Sequence, residues 1–462
     1  MAAPALIPRQ IGARLIYRFL GHEEKYPRKW AEINGQQVRV PDDEAACRRV
    51  ADDAWIFGRA RLRWRQDQSH RARLRNPLAT RYGTKIDRKM AQWSEDNWEK
   101  MRIGWALRSG SDIIEMPSKA TTDMQNYARL MARAKGQAEM AIAQGMVPRF
   151  VTVTLPSQFH STAGGGTYRN PCWNQSKVED AARAYGRQWR RFCRRLKGGR
   201  GHHDIKIEYF WALQMHRDGC PHWHFVMWAS PEDWPIIDRL IREYLVTQIV
   251  DAAGRTDAYR VKIENVKGGA GGALAYVSQC VRYVCGTVEG ARGGRDADEI
   301  KGVASAVGTW RIRRYGFSGK SHGTLWRLAG RPEYLGVDDP QLAPAVEARR
   351  AGDWVTFDQI VRREGLAPLY LQAVNKYGEP AKRLAGIRAD DVVWMARRWE
   401  RVRACPSHST NPDSETPLVL SDKCAQSEAS TPEIDIVTPR EHLYWRSVSA
   451  AGPPFDEANA PF

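Results

Sequence analysis

The chain has 462 residues, 42% of them hydrophobic, and carries 71 Lys and Arg against 53 Asp and Glu, a formal net charge of +18. That length supports two or three units with a core each, and that charge sets up a long-range field that favours polyanions, nucleic acid first among them. No apolar run approaches the ~20 residues that cross a bilayer, so no membrane partner is expected; scattered cysteines, with no CxxC pair and no secretory leader, read as reduced thiols of a cytoplasmic protein.

Residues 1–145 read mainly as helix and polar connection, with an Arg-dense stretch running from Arg48 to Arg75 that is either a DNA-contacting face or a solvated helical surface. A helical pattern spans Asp123 to Ala143. At Phe150 the texture changes to a short β-branched run, Phe150-Val-Thr-Val-Thr-Leu155, stopped by Pro156, which predicts a strand. Helical sequence follows from Val178 to Lys197. Its Arg187, Arg190 and Arg194, with Trp189 among them, are candidate DNA contacts of the cation-plus-aromatic kind that single strands require, with helix-surface solvation as the plain alternative.

A strand from Ile205 to Met215, a turn at His216-Arg-Asp-Gly-Cys-Pro221 and a second strand from His222 to Trp228 read as a hairpin, Asp-Gly being a strong short-range signal. A helix around Pro231 to Val250, a strand from Tyr259 to Glu264, a Gly-rich link and a helix from Ala273 to Val284 complete the pattern. The expectation is an α+β fold: a central antiparallel sheet with flanking helices. Its divisions are a mainly helical N-terminal region (1–145), a catalytic core (146–330), an ordered extension (331–404) and a flexible Ser/Thr/Pro-rich tail (405–462).

The chemistry concentrates in the hairpin. His222 and His224 lie two apart in a strand, so both imidazoles project from one face and can share a cation. Symmetric pairing across Asp-Gly places Gln214 roughly opposite His224 and His216 opposite His222, so that either the amide of Gln214 or the imidazole of His216 is available as a third ligand. Such a set, with positions left for water or phosphate, suits Mg²⁺ or Mn²⁺ as Lewis acid more than a closed zinc site. An ordinary half-buried histidine pair is the competing reading. Tyr276, Cys280 and Tyr283 share one face of the next helix, and a helix presenting tyrosine to a metal on a sheet is a phosphoryl-transfer arrangement; tyrosines that simply pack the helix are the alternative.

These motifs together resemble the phage replication gene A proteins of the HUH endonuclease superfamily. Val151-Thr-Val-Thr-Leu-Pro-Ser-Gln-Phe-His160 is similar to that family's first strand and loop, and His216-Arg-Asp-Gly-Cys-Pro-His-Trp-His-Phe-Val-Met-Trp228 to its metal-binding hairpin. Lys267-Gly-Gly-Ala-Gly-Gly-Ala-Leu-Ala-Tyr-Val-Ser-Gln279 is similar to its nucleophile helix, and Ala304 to Gly319 with Trp326-Arg327 to the segment closing its core. The resemblance runs over roughly residues 95 to 385.

It implies a HUH-type core and site-specific nicking of single-stranded origin DNA in a bacterial host, with a 5′-phosphotyrosine intermediate, a free 3′ hydroxyl that primes rolling-circle replication, and a host helicase and polymerase as partners. His222 and His224 would hold Mg²⁺ or Mn²⁺, with Gln214 where the family commonly has glutamate. Tyr276 matches the first of the family's two tyrosines, Gln279 stands at the phosphate-assisting lysine position and Cys280 at the second tyrosine, which leaves Tyr283 as a candidate second nucleophile. A relaxase or single-strand transposase with the same chemistry, a non-catalytic DNA-binding initiator, and a structural zinc module using Cys220, His222 and His224 are the other readings.

Overall fold

The computed structural model describes residues 28–33, 36–41, 45, 48–49, 52–80, 85–197, 203–216, 218–247, 260–266, 269–285, 305–319 and 322–403. The expected tail at 405–462 lies outside the described residues.

Helices dominate the N-terminal region, with strand pairs between them that the sequence reading does not anticipate. Strands β1 (Arg28–Ile33) and β2 (Gln36–Pro41) pair antiparallel. Helix α1 (Asp53–Arg75) starts where the Asp52 carboxylate accepts from Trp55 N, and α2 (Lys85–Gly104) runs into β3 (Trp105–Ser109) and β4 (Asp112–Glu115). Helix α3 (Lys119–Ala143) leads to the central sheet.

That sheet has the order β10-β5-β9-β8-β11, all antiparallel. Its strands are β5 (Val147–Thr154), β8 (Glu208–Met215), β9 (Pro221–Ala229), β10 (Val261–Asn265) and β11 (Tyr315–Phe317). Between β5 and β8 come the small pair β6 (Thr162–Ala163) and β7 (Tyr168–Arg169) and helix α4 (Val178–Leu196). Helix α5 (Trp234–Arg242), extended by a wider-wound segment to Thr247, precedes β10, and α6 (Gly269–Cys285) follows it. The architecture is α+β with several antiparallel sheets, as the alternating pattern predicts.

Period-2 alternation splits the sheet into two faces. Val151, Val153, Trp223, Phe225, Met227 and Trp211 join α4 and α5 in one core. Helix α4 buries Ala181, Ala184, Tyr185, Trp189, Phe192, Cys193 and Leu196 at three- and four-residue steps, the stripe expected of a helix laid on a sheet. Trp189 is therefore 0% exposed and stacks on Phe225, with ring centroids 4.6 Å apart. This corrects its assignment as a DNA contact: its ring is committed to the core. Arg187, Arg190 and Arg194 are exposed on the outer side of the same helix.

The opposite face, with Phe210, Ala212, Val226 and Trp228, packs on α3 and α6 through Leu130, Ala134, Val277 and Val281. Beyond it come α7 (Gly323–Leu328), α8 (Ala343–Ala351), α9 (Trp354–Arg363) and a sheet of β12 (Ala367–Val374), β13 (Pro380–Ala389) and β14 (Val392–Met395), sharing their own core. Gly136 lets this unit seat on α3, since a Cβ there would meet Trp354 Cβ at 2.7 Å. Strand β15 (Glu400–Arg403) returns to pair with β3, and Arg49 bridges to Glu379.

Candidate metal and nucleophile site

The β8–β9 hairpin sets the geometry. Gln214 pairs with His222 and Ala212 with His224, a register two residues away from the expected pairing of Gln214 with His224 and His216 with His222. The connection closes on His216 and Cys220: His216 N donates to Cys220 O at 2.9 Å, Gly219 N donates to His216 O, and Gly219 takes φ +78°. Because the slip is an even number, every side chain keeps its face. Gln214, His222 and His224 still project together.

The three donors converge. His222 Nε2 and His224 Nε2 lie 2.8 Å apart, and Gln214 Oε1 is 3.1 Å from His224 Nε2. His224 Nδ1 is 3.1 Å from Thr152 Oγ1, the residue opposite it on β5. With Nδ1 donating to that hydroxyl, the Nε2 lone pair is directed at the shared point, the tautomer a ligating imidazole needs. His216, the alternative ligand, packs against His222 with ring centroids 4.2 Å apart. Among the described residues no group of three or more His, Cys, Asp or Glu side chains is arranged to hold a metal, so the third donor of this set is an amide. Two imidazoles and an amide oxygen fit a divalent cation in chemistry, without the charge a carboxylate would add.

Tyr276 is on this same side. Phe150 stacks on Tyr276 with ring centroids 4.5 Å apart and on His224 at 5.5 Å, one ring lying between the phenol and the imidazole. Helix α6 is tied down beside it by Tyr127 Oη and Ser278 Oγ at 3.3 Å and by buried Val277, Cys280 and Val281. Cys280 is 4% exposed and burial pushes its thiol up to about 12, which keeps it protonated and inert. Gln279 is exposed. Tyr283 is on the same helix, but its side chain lies outside the described residues. The exposed arginines of α4 are on the reverse face of the sheet, away from the histidines.

Several positions escape sequence reasoning. Tyr315 and Lys262 lie in one cross-strand row with Thr152, His224 and Ala212, a relation set by pairing between distant strands. Around the hairpin turn, Asp218 is 3% exposed and pairs with His160 Nδ1 at 3.2 Å, while its carboxylate accepts from Cys220 N at 3.0 Å. The guanidinium of Arg73, on α1, approaches the same turn, 3.8 Å from where a Gly219 Cβ would stand, and among the described residues its nitrogens have no hydrogen-bond partner. Burial alone would raise the Asp218 carboxyl, but the His160 bond and the nearby Arg73 charge hold it well below the usual carboxylate range. Burial alone would lower His160, but the Cys220 sulfur and the Asp218 carboxylate outweigh it and hold the imidazole well above its ordinary value.

The sign of the pH dependence follows. The Asp218 contribution is complete above its unfolded value near ~3.9 and is lost as pH falls through the depressed folded value. The His160 contribution is complete below ~6.5 and is lost as pH rises through the elevated folded value. Asp218→Asn strands two buried cations and is expected to cost about 3–5 kcal/mol, read from urea unfolding near pH 6. A wild-type midpoint in the variant would remove the pair from the account of the turn.

Set against known proteins, this arrangement has a place. The pattern of the bacteriophage replication gene A protein (GPA) family matches residues 20–285, more than half of the chain and including the hairpin and the Tyr276 helix. The chain belongs to that family.

Relatives within reach carry replication names. The replication gene A protein of Escherichia phage 186 is 25% identical, over 89% of this chain and 64% of its own length. The probable replication protein P12 of Pseudoalteromonas phage PM2 is 26% identical over 58% of this chain and 43% of its own. A probable replication endonuclease from a prophage-like region of Salmonella typhimurium is 22% identical over 77% and 48%. The chain thus spans between about two fifths and two thirds of the length of these family relatives. No solved structure matches it.

Proposed function

We propose that this chain is a DNA endonuclease that initiates phage replication by the rolling-circle route, nicking one strand of single-stranded origin DNA through Tyr276. The observation that carries the reading is the Phe150 ring, in contact with Tyr276 on one side and His224 on the other, which sets a phenol beside a convergent imidazole pair on one sheet face. In this reading the five-stranded sheet is a HUH-type core.

His222, His224 and Gln214 would hold Mg²⁺ or Mn²⁺, which would draw charge from a phosphate oxygen and ease loss of the displaced oxygen. Tyr276 supplies the nucleophile. Its oxygen bonds to phosphorus, its proton passes to solvent, the bond from phosphorus to the 3′ oxygen breaks, and that oxygen takes up a proton. The products are a 5′-phosphotyrosine ester and a free 3′ hydroxyl. The ester keeps the energy of the broken diester and allows rejoining. A host helicase and polymerase would extend the 3′ end in the bacterial cytoplasm; among the described residues no helix is long and apolar enough to cross a membrane.

The test is direct. Incubation with a degenerate single-stranded DNA library and Mn²⁺ gives a protein–DNA adduct that survives denaturation; its absence defeats the reading. The amide at Gln214 favours one rival, an initiator that binds DNA without cutting, which predicts salt-sensitive binding and no nick. The same amide makes a graded prediction: Gln214→Glu adds a ligand charge and tightens Mn²⁺ on the order of tenfold, read from the metal dependence of nicking and from calorimetric titration. Unchanged affinity would take Gln214 out of the ligand set.

A further inference from the structure

A cavity of about 270 Å³ opens at the end of β5 beside the hairpin. Thr154 lines it, and Thr154 is the direct β-ladder partner of His222, which places the cavity at the His222 end of the sheet. Its walls are of two kinds. Leu155 and Ala163 are apolar, while Thr154, Ser157, His160, Thr162, Asn170 and Arg260 bring polar groups.

Arg260 is the unusual member. It is 3% exposed, and its Nη2 donates to the main-chain oxygens of Leu245 and Val246 at 2.8 and 3.0 Å. Those two bonds hold the guanidinium in place, so Arg260 lines the cavity as a fixed residue and not as a mobile charge. A lining that combines a held arginine with aliphatic, hydroxyl and imidazole side chains complements a nucleobase, which is apolar and polarisable on its faces and hydrogen-bonding along its edge. A phosphate would leave the Leu155 and Ala163 side unmatched.

We infer that this cavity takes the base of one nucleotide next to the scissile phosphate and reads its identity. The inference rests on the proposed nicking function, and it adds a specificity-determining subsite built from Arg260 and the segment between Thr154 and Ala163.

The experiment compares strands captured covalently from the degenerate single-stranded library by the wild-type chain and by Ala163→Phe, whose ring fills the cavity. The wild type is expected to show a base preference at a position adjacent to the cut. Ala163→Phe flattens that one preference roughly tenfold and keeps the others, which also shows that the variant is folded. Thr162→Val, equal in shape but lacking a hydroxyl at the rim, changes which base is favoured there. Identical preferences in all three proteins overturn the proposal even when nicking is robust. If the wild type forms no adduct, the nicking reading fails by itself, and the comparison is made on strands retained by filter binding. Loss of a single base preference there still supports the subsite, and no loss overturns it.

Discussion

Tyr276→Phe is expected to bring covalent adduct formation down to background, a fall of roughly four orders of magnitude or more, since the variant lacks the phenolic oxygen proposed to form the ester. The substitution is clean because the ring remains. Phe150 keeps its stacking partner, and α6 keeps the buried Val277, Cys280 and Val281 that seat it on the sheet, so folding and DNA binding are expected to match the wild type. The measurement is a denaturing gel of protein with labelled single strand and Mn²⁺, together with binding in the absence of metal. Undiminished adduct would transfer the nucleophile to another residue, and Tyr283→Phe is then the variant to make. Cys280 offers no second route, because a thiol held protonated and 4% exposed has neither the charge nor the access to attack phosphate.

His224→Ala carries the second large effect. His224 is the hub of the donor set, with His222 Nε2, Gln214 Oε1 and Thr152 Oγ1 all within 3.1 Å of its ring nitrogens. Its loss removes one of two imidazole donors and is expected to lower nicking by about a thousandfold while single-strand binding at low salt persists, because binding comes from the many cations elsewhere. Thr152→Val tests the support of that ring separately. It keeps the shape and deletes the hydroxyl, and a drop of about tenfold is expected in metal affinity. Near wild-type nicking in His224→Ala, measured across a Mn²⁺ series, would show that the pair is not the metal site.

How much of this was legible beforehand depends on the range of the interaction involved. The strands around Val151, Leu213 and Phe225 and the helices at Val178 and Ala273 follow from local periodicity, and the structure has elements at all of them. The His222–His224 face follows too, since alternation along one strand requires no partner. The hairpin register does not: Asp218 reads as a turn residue, yet it is a buried carboxylate held by His160 from a separate loop.

Trp189 failed for a different reason. Its arginine neighbours suggested a surface, whereas the spacing Tyr185, Trp189, Phe192, Leu196 already marked it as part of the inward stripe. The strands between residues 28 and 115 are short and carry charged residues, and β3 finds one partner almost three hundred positions away, a pairing for which no local pattern exists. The proximity of Tyr276 to His224 belongs to the same class, because it arises from α6 crossing β5.

The β3–β15 ladder also bears on synthesis. Trp105 pairs with Arg403, and Arg49 meets Glu379, so early-made segments await partners made about three hundred residues later. A nascent chain already carrying its histidines and Tyr276 therefore emerges with a row of β3 main-chain groups still open, and closing so long a loop is slow. Closure of this ladder waits for β15, and any product cut short before residue 400 keeps an unsatisfied β3 edge, a template for aggregation.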